Sequence, residues 1–345
     1  MGEKVLVGMS GGVDSTVCAY LLLQRGYEVY GLTLWLWDPE GPYENKCCSV
    51  DAAAIAAREL GIPHETVQAH EEFRRLVIEP TLAAYRAGKT PNPCVLCNRY
   101  VRFSLLLREA KRRGIPYIAT GHHVRVRRDG DVYRLLRGRD PRKDQSYFLY
   151  SLTQEELSRA LFPVGELTKD EVRRIAREQG FTAAALRESQ DLCFAPRGIS
   201  ELIPDAPPGP ILDREGRVLG THKGLPHYTV GQRRGLGVRS PEPLYVISLD
   251  PIRNAVVVGP EHALYSSGLL AQDLSWIAGS PPGKRFLCQA QIRYRAAPVE
   301  CEVTLKDAEA HVRFVRPQRA VTPGQAVVFY RDDEVLGGGT IAAAK

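Results

Sequence analysis

The chain has no apolar run long enough to cross a membrane, and its first residues show no signal-peptide pattern. A membrane helix needs roughly 20 apolar residues in succession, and no stretch of the sequence approaches that length. The start leads directly into a predicted strand rather than into a charged and apolar leader. Internal repeats and low-complexity tracts are absent as well. These absences predict a cytoplasmic globular protein that does not associate with a membrane.

Cysteine is too scarce for a disulfide scaffold, with eight in 345 residues. In a reducing compartment, paired cysteines more often indicate metal binding or sulfur chemistry. Five of the eight are poor candidates, since two are adjacent and three fall at apolar positions of predicted core elements: Cys47, Cys48, Cys18, Cys288 and Cys301. The candidates for chemistry are therefore Cys94, Cys97 and Cys193.

The length of the chain and the order of its predicted elements predict three domains. A chain of 345 residues exceeds the size at which one hydrophobic core keeps growing. Up to residue 203, short apolar strands alternate with helical patterns, which predicts an α/β fold with a parallel sheet covered on both faces. Residues 204–210 hold four prolines, and short alternating strands follow. We predict an α/β domain over 1–203, a small β domain over 204–268 and a C-terminal β-barrel over 269–345.

The predicted elements can be compared individually with the structure. Predicted helices cover residues 14–25, 50–60, 71–86, 98–113, 153–160 and 168–179. Predicted strands of the first domain cover 5–9, 28–35, 64–68 and 117–120, with a hairpin at 125–128 and 132–136. Those of the tail cover 211–212, 217–219, 244–249, 255–258, 285–295, 299–305, 311–315 and 326–330.

Eight residues between the first strand and the first helix predict a phosphate site: Gly8-Met9-Ser10-Gly11-Gly12-Val13-Asp14-Ser15. Small residues let the backbone approach a ligand closely, and the helix N-terminus directs free N–H groups towards it. Two serine hydroxyls add donors. This glycine loop lacks the lysine of the P-loop pattern and the spacing of the dinucleotide fingerprint, which argues against kinase-type phosphate binding and NAD binding. An ordinary glycine-rich turn is the alternative.

The three candidate cysteines suit two kinds of sulfur chemistry. Cys94 and Cys97 follow a rigid Pro-Asn-Pro turn at the start of a helix, where a thiol is expected to have a lowered pKa. Cys193 lies in a segment without periodicity, which predicts a mobile loop. Three thiolates would suit a 4Fe-4S cluster with one open iron, and two of them could instead carry sulfur as a persulfide and a disulfide. Simple packing cysteines are the third reading.

Basic residues are concentrated beside these cysteines. From Arg99 to Lys143 the chain has fourteen Lys or Arg against four acids. Such a block indicates a polyanion larger than a nucleotide, because clustered cations gain affinity by releasing its counterions. A solvated helix face followed by a hairpin is the alternative. His122 and His123 follow the strand at 117–120, in the crevice where open α/β sheets bind ligands, and position favours a role for His122.

Several longer motifs carry a resemblance from end to end. The glycine loop resembles the SGGxDS loop of PP-loop ATP pyrophosphatases, and the whole chain resembles the bacterial tRNA-specific 2-thiouridylase family. The other motifs are Thr90-Pro91-Asn92-Pro93 with Cys97-Asn98, Ala119-Thr120-Gly121-His122, residues 143–149, 161–165, Cys193-Phe194, 231–233, 293–295 and 322–325. The resemblance implies an adenine nucleotide alpha hydrolase-like fold. It also implies thiolation of C2 of the wobble uridine of tRNA with ATP, Mg²⁺ and sulfur from a cysteine desulfurase or a sulfur carrier.

The resemblance also implies roles for individual residues. ATP would be held by residues 8–15 together with Leu34 and Gly121, with Asp14 near the magnesium ion. Cys97 would be the nucleophile and Cys193 the carrier of the persulfide. The target base would face Asn92, Pro93 and Cys94. Contacts to tRNA would come from a further set, which is His122, Lys143, Asp144, Gln145, Arg293, Tyr294 and Gln325.

One departure from the family bears on the sulfur step. Many members have Asp where this chain has Cys94. The cysteine removes the acid or base proposed for a persulfide scheme and adds a ligand for a cluster held by Cys94, Cys97 and Cys193, so it favours the cluster while both mechanisms stay open. Two other functions are weighed against sulfur transfer: a PP-loop amide ligase acting on a small metabolite, and a non-catalytic RNA-binding protein with a structural metal.

Overall fold

The structure, a computed structural model, describes residues 2–37, 49–186 and 192–345. The strands in these ranges are β1 Lys4–Gly8, β2 Glu28–Trp35, β3 His64–Gln68, β4 Tyr117–Thr120, β5 Val124–Asp129, β6 Val132–Arg137, β7 Ala160–Leu161, β8 Gly209–Leu212, β9 Val218–His222, β10 Tyr245–Asp250, β11 Ala255–Gly259, β12 Tyr265–Trp276, β13 Arg285–Gln291, β14 Val299–Lys306, β15 Glu309–Arg319, β16 Ala326–Arg331 and β17 Glu334–Ala344. The α-helices are α1 Val13–Gln24, α2 Val50–Leu60, α3 His70–Phe73, α4 Glu79–Arg86, α5 Pro93–Cys97, α6 Phe103–Arg112, α7 Gln154–Arg159 and α8 Lys169–Glu178.

Two of the helical runs contain a wider turn. A π-helical turn at Arg74–Ile78 joins α3 to α4, and another at Asn98–Arg102 joins α5 to α6. Short 3-10 helices lie at Ser146–Phe148, Pro163–Glu166, Thr182–Ala185, Ile199–Leu202, Leu225–His227 and Glu261–Leu264. Among the described helices, none combines the length and hydropathy needed to span a bilayer.

The first sheet is parallel, with the strand order β3-β2-β1-β4-β7. Its central strand is buried on both sides: Leu6 packs into one apolar cluster, whereas Val5 and Val7 pack into another. A strand enclosed in this way reads as a continuous apolar run, as the sequence does here. The chain winds to one side of β1 and then returns to the other side with β4, so a crevice opens at the carboxyl ends of these two strands. The predicted α/β fold is confirmed.

Two further sheets follow. A four-stranded sheet has the order β10-β11-β8-β9. The barrel closes because β12 pairs with both β15 and β17, which completes the ring β12-β15-β14-β13-β16-β17. The predicted small β domain and C-terminal barrel are therefore confirmed as fold types.

The hairpin of the first domain belongs to the barrel sheet. The predicted turn between β5 and β6 is confirmed, but β6 pairs with β17, so the hairpin extends the barrel. Strands β7, β12 and β17 were not predicted. The first has two residues, and the last contains three consecutive glycines whose added Cβ atoms would meet neighbouring strands, such as Val327 O at 2.5 Å from Gly338. The predicted boundary at 268/269 falls inside β12, and the three-domain division itself stays a prediction.

Candidate active site

The glycine loop joins β1 to α1 and is organised by its own hydroxyl groups. The backbone N–H of Ser10 donates to Ser15 Oγ at 3.2 Å, and the two serine Oγ atoms lie 3.1 Å apart. Helix α1 starts after Gly12, which offers no side-chain cap to the first turn. The N–H groups of that turn therefore face the crevice and suit an anion.

Two glycines allow the close packing around this loop. Gly11 has a φ of +79°, and a Cβ there would lie 2.6 Å from the Cβ of Ala52 in α2. Gly121, just after β4, would place a Cβ 2.6 Å from the carbonyl carbon of Asp14. The predicted ATP contact of Gly121 stays a prediction, but the structure gives this residue a packing role that requires glycine.

Other predicted ATP-binding residues pack in the core beside the glycine loop. The side chains of Met9, Val13 and Leu34 are buried in the apolar clusters on the two faces of the sheet. A Cβ on Gly8 would lie 3.2 Å from Leu106 Cδ1. These positions shape the loop by packing, and any contact with a nucleotide would come from their backbone.

Asp14 is held by two side chains that the sequence analysis did not select. Lys169 Nζ donates to both carboxylate oxygens of Asp14 at 2.7 Å, and His123 Nε2 lies 3.1 Å from Oδ1. Burial would raise the pKa of Asp14, but the hydrogen bond with His123 and the charge of Lys169 outweigh it and lower the pKa below its ordinary value. Asp14 is thus an ionised carboxylate in the middle of the crevice.

The sequence signal for Lys169 was weak. Thr168 and Glu171 form a capping box at the start of α8, but a lysine in the first turn of a helix is normally exposed to solvent. Here its side chain is only 5% exposed, because α8 packs against α1 and turns this residue inward. The local sequence around Lys169 does not predict the packing of α8 against α1.

The two histidines after β4 face different surroundings. His123 points to Asp14, whereas the ring of His122 stacks on Phe103 at 5.9 Å and its Nδ1 lies 2.7 Å from Thr120 Oγ1. The structure thus places His123 beside Asp14, and the preference for a role of His122 stays a prediction. Its predicted contact with tRNA stays a prediction.

The first two candidate cysteines lie one helical turn apart. The side chain of Asn92 caps α5 by accepting from Val95 N at 3.4 Å, so Cys94 occupies the first turn and Cys97 the second. Cys94 is exposed, whereas Cys97 is only 7% exposed within an apolar cluster. The helix N-terminus is therefore closer to Cys94 than to Cys97.

The third cysteine lies beside the same apolar cluster. Cys193 packs partly buried against the cluster that contains Cys97, and the neighbouring Phe194 ring meets Phe73 at 5.8 Å. The end of the predicted mobile loop is thus anchored, and residues 189–191 lie outside the described residues, as do the cysteines at 47 and 48. In the ranges described, no three Cys, His, Asp or Glu side chains form a group able to hold a metal ion. Cys94 is exposed while Cys97 is enclosed, and the cluster held by Cys94, Cys97 and Cys193 stays a prediction.

Two predicted tRNA contacts after β6 are used inside the protein. Asp144 is buried and accepts from Gly138 N at 3.0 Å and from Ser146 Oγ at 2.8 Å. Gln145 Oε1 accepts from His123 N at 2.9 Å. The carboxylate of Asp144 thus has a structural role inside the protein, and its contact with tRNA stays a prediction. Gln145 fixes the backbone of His123, and the contact of Lys143 with tRNA stays a prediction.

The barrel residues of the predicted tRNA set also have protein partners. Arg293 Nη2 donates to Val230 O and to Ala320 O, each at 3.0 Å, and its contact with tRNA stays a prediction. Burial lowers the pKa of Arg293. The ring of Tyr294 lies 4.3 Å from that of Phe148. Gln325 Nε2 donates to Thr90 O at 2.7 Å and so reaches the turn before α5.

The basic block does not form one free surface. At least nine of its fourteen cations pair with acids, and these nine are Arg108, Arg112, Arg113, Arg125, Arg128, Arg134, Arg137, Arg139 and Arg142. They are divided between α6, the β5–β6 hairpin and the loop that follows it. Some of these pairs are local, such as Arg112 with Glu109, and others join distant segments, such as Arg125 with Asp333. The binding of a polyanion by the basic block stays a prediction.

Family models cover nearly the whole chain. Residues 3–197 match a tRNA methyl transferase HUP domain, residues 198–260 a tRNA methyl transferase PRC-barrel domain, and residues 266–341 an aminomethyltransferase beta-barrel domain. Two solved structures are distantly similar. A U34-tRNA thiolase from Methanococcus maripaludis with its 4Fe-4S cluster is 21% identical, with a TM-score of 0.36 over 59% of this chain and 64% of that one. A 4-thiouridine synthetase in complex with RNA and ATP is 19% identical, with a TM-score of 0.38 over 59% and 49%. These scores are too low to support an argument about function.

Relatives over the full length are much closer. The tRNA-specific 2-thiouridylase MnmA of Geobacter metallireducens is 48% identical over 364 residues, covering 99% of this chain and 97% of its own. Proteins of the same name from Chloroflexus aurantiacus and Symbiobacterium thermophilum are 49% and 47% identical, covering 98% and 100% of this chain and 98% and 93% of their own. The family models are described by methyl transfer, whereas these relatives are named for thiolation. With identity near one half from end to end, the chain belongs to the tRNA-specific 2-thiouridylase family.

Proposed function

We propose that this chain is a tRNA-uridine 2-sulfurtransferase that thiolates C2 of the wobble uridine and converts ATP to AMP and pyrophosphate. The observation that carries the proposal is the 48% identity to a tRNA-specific 2-thiouridylase over 99% of the chain. The glycine loop at the C-terminal edge of a parallel sheet supports it, because this is where such sheets bind nucleotides.

The reaction needs ATP because the uracil C2 carbonyl is a poor electrophile. Its oxygen attacks the α-phosphorus of ATP, pyrophosphate leaves, and C2 then carries AMP as a good leaving group. The free N–H groups at the start of α1, with the hydroxyls of Ser10 and Ser15, would hold the pyrophosphate portion. The wobble base is single-stranded, so turning it into the site costs little.

The carboxylate of Asp14 fits a magnesium ion bound together with ATP. Its side chain is 33% exposed and ionised, and Mg²⁺ is commonly held by one or two carboxylates together with substrate phosphates. When bound, the ion would neutralise phosphate charge. Lys169 and His123 orient the carboxylate, and the Lys169 ammonium adds a positive charge to the same crevice.

Sulfur would be delivered through Cys97 and Cys193. A cysteine desulfurase or sulfur carrier would leave a persulfide on Cys193. The Cys97 thiolate attacks its inner sulfur, the outer sulfur leaves as hydrosulfide, and a disulfide forms between the two residues. Hydrosulfide then displaces AMP from C2, and a thiol reductant restores both thiols. The packing of both residues at one apolar cluster supports this order.

The proposal is tested by mass analysis of tRNA nucleosides from a deletion strain. Complementation with the wild type is expected to restore wobble 2-thiouridine, and Cys97→Ser and Cys193→Ser are expected not to. Cys18→Ser, a buried core position, is the matched control. Persistent wobble 2-thiouridine in the deletion strain would refute the assignment.

Two further measurements separate the alternatives. AMP release that does not require unmodified tRNA would favour an amide ligase. Anaerobic purification followed by iron and acid-labile sulfide analysis tests the sulfur step. Stoichiometric iron that is required for thiolation would replace the persulfide route with a cluster.

A further inference from the structure

The turn that precedes α5 is held by parts of the chain outside the first sheet. Thr90 N donates to Pro323 O at 2.9 Å, and Gln325 Nε2 donates to Thr90 O at 2.7 Å. Both partners lie in the barrel loop before β16. The hydroxyl of Thr90 lies 2.8 Å from that of Thr229, which precedes β10 of the middle sheet. Three parts of the chain therefore meet at one threonine.

The barrel loop packs closely against the turn at this junction. Gly324 has a φ of +93°, and a Cβ there would lie 2.9 Å from Thr90 N and 3.1 Å from Lys89 Cβ. The partner segments are themselves fixed to each other, because Arg293 joins Val230 O to Ala320 O. The barrel loop and the middle segment thus form one support for the turn.

The support acts on the residues assigned to the target base. Asn92, two residues after Thr90, caps the helix that carries Cys94 and Cys97. The prolines at 91 and 93 fix φ on both sides of this cap, so a displacement at Thr90 passes to Asn92 instead of being absorbed between them.

We infer that Thr229, Gly324 and Gln325 are positioning residues, which hold Thr90 and thereby set the direction of the Asn92 cap and the Cys94–Cys97 helical turn. The inference rests on the proposed function for what the turn faces. Gln325 then acts through Thr90, not through a direct bond to tRNA. Sulfur transfer therefore depends on the contacts that the barrel loop and the middle segment make with Thr90. ATP binding at the glycine loop does not depend on them.

The test compares Thr229→Val, Gly324→Ala and Gln325→Leu with the controls Thr221→Val and Gln318→Leu in the full-length protein. Thr221 is an exposed threonine of the middle sheet, and the Gln318 amide donates only within its own strand, to Arg316 O and Pro317 O. Amide hydrogen exchange over residues 89–97 is measured without ligand, together with tRNA affinity, ATP affinity and single-turnover thiolation.

We expect exchange over residues 89–97 to rise, and single-turnover thiolation to fall, by roughly threefold to tenfold in each junction variant. Thr229→Val and Gln325→Leu each lose one hydrogen bond, whereas Gly324→Ala acts through overpacking. ATP affinity, tRNA affinity and both controls should be unchanged. Thr229→Ser should restore the wild-type values, and it also tests the inference if Thr229→Val does not fold.

Unchanged exchange in all three variants would overturn the inference, and weaker tRNA binding by Gln325→Leu with unchanged exchange would return Gln325 to direct tRNA contact. A wild type that does not thiolate tRNA would refute the proposed function, while the exchange data would still decide the role of the junction.

Discussion

Asp14 is the residue on which the chemistry of the crevice depends, and its environment comes from distant parts of the chain. Its place in the glycine loop could be predicted from the local motif. Its partners could not, because Lys169 is 155 positions away and His123 is 109 positions away. A buried lysine and a buried histidine keep this carboxylate ionised despite its burial.

Replacing Lys169 tests that account. Because the pKa of Asp14 is lowered in the folded protein, its ionised form stabilises the fold above the ordinary pKa of aspartate, and this contribution is lost as the pH falls through the lowered value. In Lys169→Met, burial acts with less compensation, so the pKa of Asp14 should rise and acid destabilisation should begin at a higher pH. We expect the free energy of unfolding at neutral pH to fall by about 1–2 kcal/mol, the lower part of the range for a charge-assisted bond because Asp14 is 33% exposed.

Denaturant unfolding across the acid range, with carboxyl-labelled NMR titration of Asp14, measures both effects. Lys111→Met, at an exposed position of α6, serves as the control. An unchanged midpoint for Asp14 would show that His123 alone maintains the ionised state.

Among the secondary-structure elements, the glycine loop depends on the close approach of β4. Helix caps and strand alternation were readable from sequence because they depend on neighbours within one turn or one strand. The meeting of the end of β4 with the first turn of α1 depends on sheet order, which local patterns do not encode. Gly121 marks that contact, since any Cβ would enter the backbone of Asp14 and Ser15.

Gly121→Ala should therefore disturb the nucleotide site more than the fold. A Cβ at 2.6 Å from the Asp14 carbonyl carbon must push the start of α1 away from β4, and such overpacking costs about 1–3 kcal/mol. We expect a loss of ATP affinity of roughly tenfold, measured by calorimetry. Gly283→Ala is the control, because the nearest atom to its added Cβ is 3.7 Å away. Equal ATP affinities for both variants would contradict the assigned contact.

In the whole molecule, the barrel and the first domain share a core and a sheet. Val328 and Tyr330 of β16 pack in the same apolar cluster as Leu6 of β1. Arg134 of the hairpin pairs with Glu334 of β17. The barrel is therefore part of the support of the active site and not an attached module.

Arg293 links the middle segment to the barrel beside the junction at Thr90. Arg293→Met should leave Val230 O without this donor and Ala320 O with the Thr322 hydroxyl alone, and the loss is expected to lower the free energy of unfolding by about 1–3 kcal/mol. Thermal and denaturant unfolding measure the change. Arg316→Met, at an exposed position of β15, is the control. If Arg293 served only to bind tRNA, stability would not change and tRNA affinity alone would fall.

The sequence by itself determined the alternation of strands and helices in the first domain, the glycine loop, the capping boxes and the turn to β structure near residue 204. Each of these depends on residues close together in the chain, where hydrophobic period, caps and prolines act directly. Tertiary structure alone decided the partners of Asp14, the burial of Cys97 beside the exposed Cys94 and the contacts that hold Thr90. Those contacts join residues far apart in the chain, such as Gln325 and Thr90 at 235 positions, and they form only where sheet order and core packing bring two segments together.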